Sequence, residues 1–514
     1  MNLIQRVLAL VCILSFAASA WTQVPQEPFP VKRAESAETW RSGGWAAVDA
    51  AKRVKTRKKA KNVIIFVGDG MGISTLTAAR IFEAQQRGES GEENRLSFEM
   101  FPYSALSKTY SANQQTSDSA PTMSAIITGV KTDEGVLSVN QNVVHSDWKT
   151  VAGNETKSLF AYAEDAGLAT GIVSTARLTH ATPAACYAHS PDRDWESDAD
   201  IFRLNKAAYE AKFPDIASQL LSFKYGDGLE VAIGGGRSTF LPNDAQDPEY
   251  ADRKGRRLDG RDLTAEWLKQ YKDSQYVWNK QQFDAVDVRK TKHLLGLFEP
   301  SMMQFEADRA KDPAGEPSLA EMTAKSMDIL ANNKKGYVLM VEAGRIDHAH
   351  HDGNAYRALT DTVALSDAVR TAVSKVNLDE TLIVVTADHS HTLFIQGYPA
   401  RGNNILGLAR EIGGDGNIEP IYKLDKDKKP YTTLGYANGP GAVKGERPVL
   451  TEEEVLKPDY KQQTLIPFTS ETHGGEDVAI FAIGPNAQLF RGSMEQNWIF
   501  YVMADALRLG RSSR

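Results

Sequence analysis

The chain has 514 residues, 42% of them hydrophobic, and a formal net charge of −7. That composition supports a large core and excludes a disordered chain, while the acidic balance excludes a general nucleic-acid or anionic-membrane binder. At the start, Arg6, the apolar run Val7 to Ala17 and the small residues Ala18-Ser19-Ala20 have the pattern of a secretory signal. Residues 1–20 are therefore expected to be removed on export to a periplasm or the extracellular medium, leaving residues 21–514 as one large domain. Removal leaves Cys186 without a partner, so the mature chain relies on its core, and on any bound metals, rather than on disulfides. The basic run from Lys52 to Lys61 lacks interleaved aromatics and reads as a solvated helix end ahead of the first strand.

From there, short apolar runs alternate with amphipathic stretches. Strands are predicted at Asn62 to Val67, Ala169 to Ser174, Tyr337 to Val341, Thr381 to Thr386 and Val478 to Ile483. Helices are predicted at Ser74 to Gln86, Ser158 to Asp165 and Ala355 to Val376. Fully apolar strands between helices predict an α/β fold: a large, mostly parallel central sheet with helices on both faces. Two stretches interrupt the rhythm. Asn243 to Lys290 is polar and charged and reads as a surface excursion. Gly397 to Pro448 is rich in Gly, Pro and Lys and reads as a small insertion over the main domain. The C-terminal residues, through Arg514, have no apolar tail, and no membrane anchor is expected there.

Acids and histidines gather just after the strands. The first strand runs into Gly68-Asp69-Gly70-Met71-Gly72. The Tyr337 strand leads to Glu342, Asp347, His348, His350 and His351, and the Thr381 strand to Asp388-His389-Ser390-His391. Glu471-Thr472-His473-Gly474-Gly475 precedes the last strand. Ligands of open α/β sheets bind outside the carboxyl ends of strands, so these side chains are expected along one edge. Mixed carboxylate and imidazole sets suit zinc, and all-oxygen sets suit magnesium. Asp347 and His351, four residues apart, would share one face of a helical turn.

Within Thr116-Ser117-Asp118-Ser119-Ala120-Pro121, Pro121 suits a first helical turn, which puts Ser119 at a helix N-terminus where an anion is favoured. Beside a metal-binding edge, Ser119 is a candidate nucleophile. The segment from Thr179-His180-Ala181-Thr182 to Asp192-Arg193 follows another strand. It offers a hard oxygen at Thr182 and, at Arg193, a planar fork able to grip two phosphate oxygens.

Taken together, the blocks VGDGMG, TSDSA, HATPAACYAHSPDRDW, VEAGRIDHAHHDGNA, TADHSH and ETHGGEDVA resemble the alkaline phosphatase family, in one order along nearly the whole mature chain. The resemblance implies metal-dependent hydrolysis of small phosphate monoesters through a phosphoserine, at alkaline pH, by an exported homodimer. It implies Ser119 as nucleophile, Arg193 as phosphate clamp and Asp118 as its orienting partner. Asp347, His351 and His473 match the ligands of one zinc, and Asp69, Asp388 and His389 those of a second. Asp69, Thr182 and Glu342 match the ligands of a magnesium. His180 and His348 match magnesium-side positions of the animal-type pattern, and His391 is expected to support the ligands without holding a metal. Phe298, Glu299 and Glu316 are the counterparts considered for the calcium of animal members, although the spacing to Glu316 differs. The Gly397 to Pro448 stretch resembles the crown insertion of animal members.

The chain departs from the family pattern in having Pro121 in place of the glycine usual after Ser-Ala, in lacking the paired cysteines of animal members, and in lacking an anchor-signal tail. A sulfatase would need a modified Cys or Ser followed by x-Pro-x-Arg, but Met123 stands at the arginine position. A purely structural zinc protein would favour closed, cysteine-rich sites.

Overall fold

The computed structural model describes residues 59–510, so the signal segment and most of the basic run lie outside the described residues. The strands are β1 (Asn62–Gly68), β2 (Tyr103–Lys108), β3 (Ala169–Arg177), β4 (Val231–Gly235), β5 (Ser274–Val277), β6 (His293–Leu297), β7 (Tyr337–Ala343) and β8 (Thr381–Ala387). They continue with β9 (Ser390–His391), β10 (Leu393–Ile395), β11 (Arg410–Ile412), β12 (Ile418–Tyr422), β13 (Leu434–Gly439), β14 (Thr464–Pro467), β15 (His473–Gly474), β16 (Val478–Ile483) and β17 (Ser493–Glu495). Ten of them form the main sheet, in the order β17-β2-β16-β8-β1-β7-β3-β4-β6-β5.

The centre of the sheet is parallel, with β1 hydrogen-bonded between β7 and β8. Strand β16 runs antiparallel to both of its neighbours, β8 and β2. That reversal has a functional consequence: the start of β16 lies at the carboxyl end of β8, so the segment leading into it reaches the same edge as Asp388 and His389.

Period-two alternation divides β1 between two cores. Val63, Ile65 and Val67 pack on one face, with Met123, Ile126 and Ile499 from helices Ser119–Thr128 and Trp498–Leu507. Ile64 and Phe66 pack on the other, with Leu76, Met322 and Leu359 from helices Ile73–Gln85, Leu319–Leu330 and Ala355–Lys375. Burial on both faces explains why β1 reads as a continuous apolar run.

The polar stretch Asn243 to Lys290 is not merely a surface excursion. It contains the edge strand β5 and a fully buried Trp267. Its charge is absorbed by ion pairs: Arg257 is fully buried and reaches Asp215 at 2.9 Å, and Arg237, also fully buried, reaches Asp247 at 2.8 Å. Between β8 and β16 the chain builds a three-stranded sheet, β10-β13-β14, and the separate pair β11-β12. These strands begin before Gly397 and extend past Pro448.

Candidate active site

The nucleophile candidate sits in a locally well-determined turn. Asp118 caps helix Ser119–Thr128, its Oδ1 accepting from the Ala120 amide at 2.9 Å. Its Oδ2 accepts from the Gly135 amide at 3.1 Å. Ser119 is thereby the first helical residue, and Pro121 falls in the first turn, where no intrahelical N–H is needed. Ser119 Oγ lies 3.0 Å from His389 Nε2 and 3.4 Å from Asp69 Oδ1. A guanidinium borders the same group: Arg193 donates to Asp118 Oδ1 at 2.9 Å and to His180 Nε2 at 3.1 Å.

Around Ser119 the sheet edge gathers the predicted ligands. On helix Arg345–His351, His351 Nε2 stands 3.3 Å from Asp347 Oδ1, as the four-residue spacing requires. His473 Nε2 approaches the same oxygen at 3.3 Å and His351 Nε2 at 3.2 Å. Next to them, His389 Nε2 is 3.3 Å from Asp69 Oδ1 and 3.4 Å from Asp388 Oδ2, and the His389 and His473 rings stack with centroids 3.6 Å apart. Asp69 Oδ2, Thr182 Oγ1 and Glu342 Oε1 are all buried without a hydrogen-bond partner.

The electrostatics call for cations here. Burial and the neighbouring carboxylates of Asp388, Asp347 and Glu342 push Asp69 well above the ordinary carboxylate range. Burial, with Asp388 adding to it, brings Glu342 up to about 7. Buried like charges of this kind are unfavourable unless opposite charge is supplied. The donor sets fit metals: nitrogen and carboxylate around Asp347 and around His389, oxygen alone from Asp69, Thr182 and Glu342.

His180 and His348 lie beside this group with ring centroids 5.4 Å apart. Both are held neutral, His180 by burial and the Arg193 guanidinium, His348 down to about 3 by burial and Arg345. His391 contacts Asp347 Oδ1 at 2.7 Å through Nε2 and Glu471 Oε2 at 2.5 Å through Nδ1. Burial alone would lower its pKa, but Glu471 and Asp347 raise it to about 10.

Glu471 was not singled out as a functional residue from the sequence. Besides gripping His391, its carboxylate accepts from the Thr392 amide and hydroxyl at 2.7 and 2.6 Å. The available signal was its place two residues before His473. Gly70 also has a specific role. Its φ is +69°, its amide donates to Asp388 Oδ1 at 3.1 Å, and a Cβ there would lie 2.3 Å from the His391 ring. Away from this edge, Glu299 is grouped with Glu249 and Asp312, whereas Glu316 falls outside that group and accepts from the Gln304 amide at 2.9 Å.

A sequence profile of the alkaline phosphatase family matches residues 60–509. The chain belongs to the alkaline phosphatase family. It is 45% identical over 460 residues to the rat tissue-nonspecific alkaline phosphatase, covering 88% of this chain and 84% of that one. It is 42% identical over 496 residues to an alkaline phosphatase of the cod Gadus morhua, covering 95% of this chain and 99% of that one. Among solved structures, the fold matches Thermus thermophilus alkaline phosphatase with a TM-score of 0.62 at 24% identity, over 89% of this chain and 93% of that one. It matches the alkaline phosphatase of the Antarctic bacterium TAB5 with a TM-score of 0.59 at 20% identity, over 88% of this chain and all of that one. The chain is accordingly a phosphatase that hydrolyses phosphate monoesters, with the metal dependence and alkaline optimum general to alkaline phosphatases. Among the described residues, no helix is long and apolar enough to cross a membrane.

Proposed function

We propose that this alkaline phosphatase works by two displacements through Ser119, with two zinc ions and one magnesium held at the carboxyl edge of the sheet. The observation that carries the reading is the approach of Ser119 Oγ to both His389 and Asp69, members of the carboxylate–imidazole group. Asp347, His351 and His473 would hold one zinc, Asp69, Asp388 and His389 the other, and Asp69, Thr182 and Glu342 the magnesium. Bound there, the ions supply Lewis acidity and lower the pKa of coordinated oxygens.

The chain's own groups do the rest. Arg193, fixed by Asp118 and His180, grips the phosphoryl oxygens. Ser119 Oγ attacks phosphorus as the alcohol leaves, forming a phosphoserine, and water then cleaves the Oγ–P bond to release inorganic phosphate. Position at a helix N-terminus favours the negative charge this serine and its phosphate carry. His391, clasped by Glu471, orients Asp347 and is a positioning residue.

Export through residues 1–20 and assembly as a homodimer belong to the same proposal. The exposed apolar side chains of Tyr398 on the crown-like insertion and of Leu465 and Phe468, in and just after β14, favour a second copy as the dimer partner. Calcium is proposed at Glu249, Glu299 and Asp312. Elemental analysis tests the metal assignment: Thr182→Val should lower bound magnesium while leaving zinc near two per chain. Equal magnesium in parent and variant would contradict the assignment of Thr182.

A further inference from the structure

At the opposite edge of the sheet, where β3 and β4 begin, the fold draws together a second group of acidic side chains that catalysis does not use. Glu164, Asp227 and Glu230 offer carboxylate oxygens that lie within 4.8 Å of one another. Glu164 belongs to helix Leu159–Asp165, and Glu230 immediately precedes β4. One threonine ties the two glutamates into place. Glu164 Oε1 accepts from the Thr170 hydroxyl at 2.6 Å, and Glu230 Oε2 accepts from the Thr170 amide at 2.6 Å.

Two buried atoms under the Asp227 loop have no hydrogen-bond partner: Glu164 Oε2, in a residue only 2% exposed, and the Tyr271 hydroxyl, in a residue 8% exposed. The loop carrying Asp227 folds directly over both. A Cβ on Gly226 would lie 2.2 Å from Glu164 Oε2, and one on Gly228 would lie 2.4 Å from the Tyr271 hydroxyl. With φ of +55° and +86°, these glycines let the loop close that tightly. All three carboxylates bear electrostatically on the Tyr271 hydroxyl.

We propose that Glu164, Asp227, Glu230 and the Tyr271 hydroxyl bind a calcium ion. Carboxylate oxygens that face one another without a donor require either a proton or a cation between them. The oxygen-only donor set selects a hard cation. An irregular set mixing carboxylates with a neutral hydroxyl suits calcium, whereas magnesium demands near-octahedral geometry and keeps several waters. Asp227 is exposed, which gives the ion a route from solvent. Mutual repulsion supports the reading: burial and Glu230 push Glu164 up to about 9, and burial, with Asp227 adding to it, brings Glu230 up to about 8. Calcium there would cross-link helix Leu159–Asp165, the start of β4 and Tyr271, and would act on stability rather than on catalysis.

The test uses the zinc- and magnesium-loaded enzyme with calcium alone as probe, by equilibrium dialysis and thermal melts. The double variant Glu164→Gln with Glu230→Gln should bind one calcium fewer per chain and lose the calcium-dependent rise in Tm attached to that site. Phosphatase turnover below the melting range should match the parent. Asp227→Asn changes only an exposed side chain, so it should fold normally while weakening the same binding step by about ten-fold. Unchanged calcium stoichiometry in the double variant, or unchanged calcium affinity in Asp227→Asn, would overturn the site. So would a parent Tm that is indifferent to calcium but rises on acidification, the behaviour of a shared proton.

Discussion

Replacing Arg193 with alanine tests how this site holds phosphate. Arginine carries five N–H donors, and here one is engaged by Asp118 at 2.9 Å and one by His180 at 3.1 Å. Three remain for an anion, and the two engaged donors fix the plane of the guanidinium. A hydrogen bond to a charged group contributes about 1.5–3 kcal/mol net. Truncation should therefore weaken inhibition by inorganic phosphate roughly 10- to 150-fold, since about 1.4 kcal/mol corresponds to one decade. The fold should tolerate the change, because Asp118 keeps its bonds from the Ala120 and Gly135 amides. Arg193→Lys retains the charge without the fork and should fall between parent and alanine variant. The assay is initial-rate hydrolysis of an aryl phosphate monoester at several phosphate concentrations, with metal content measured on the same samples. Phosphate inhibition within two-fold of the parent, at equal metal loading, would refute the assignment of Arg193.

Chelation should lower the melting temperature as well as abolish activity, because the proposed ligands come from distant segments and, among the described residues, no disulfide links them. An ion present at 100 times its Kd stabilises the native state by about 2.7 kcal/mol, and an unchanged melt would show that the scaffold does not depend on its ions. The double change His180→Asp with His348→Lys should tighten phosphate binding and slow turnover, each on the order of ten-fold or less for residues beside the ligands, and should lower the pH optimum. A pH–rate profile indistinguishable from the parent, with the same phosphate inhibition, would make these histidines packing residues. In calcium-free buffer, Glu164, held at about 9 against an ordinary 4.5, contributes stability that is full below the lower value and lost as pH rises through the upper one. The difference in Tm between parent and Glu164→Gln should accordingly shift against the parent from about pH 4.5 to about pH 9, and a pH-independent difference would contradict it.

Much of this was legible in the sequence because the central strands are buried on both faces. The runs at Asn62, Tyr337 and Thr381 are continuous and apolar, and each became a central strand of the sheet. The ligand clusters were legible because they follow those strands directly. Other strands were not. In β4, two of the five residues are glycines, and β5 is a four-residue edge strand set in charged sequence. The polarity of Asn243 to Lys290 suggested solvent, but Asp247 and Arg257 are buried by pairing with Arg237 and Asp215, which no local pattern reveals. The group of Glu249, Glu299 and Asp312 is assembled across distant loops, so of its members only Glu299 was singled out from the sequence. The reversal of β16 was also invisible in its apolar sequence, although it is what delivers His473 to the edge.

The central claim is a covalent phosphate on Ser119. Incubating the enzyme with labelled inorganic phosphate at acid pH, quenching, and mapping the label by peptide mass spectrometry tests it directly. The account predicts one phosphoserine, at Ser119 in the Thr116 to Met123 stretch, absent from Ser119→Ala although that variant retains its metals. Label at another residue, or an undiminished yield of phosphoenzyme in Ser119→Ala, would contradict it.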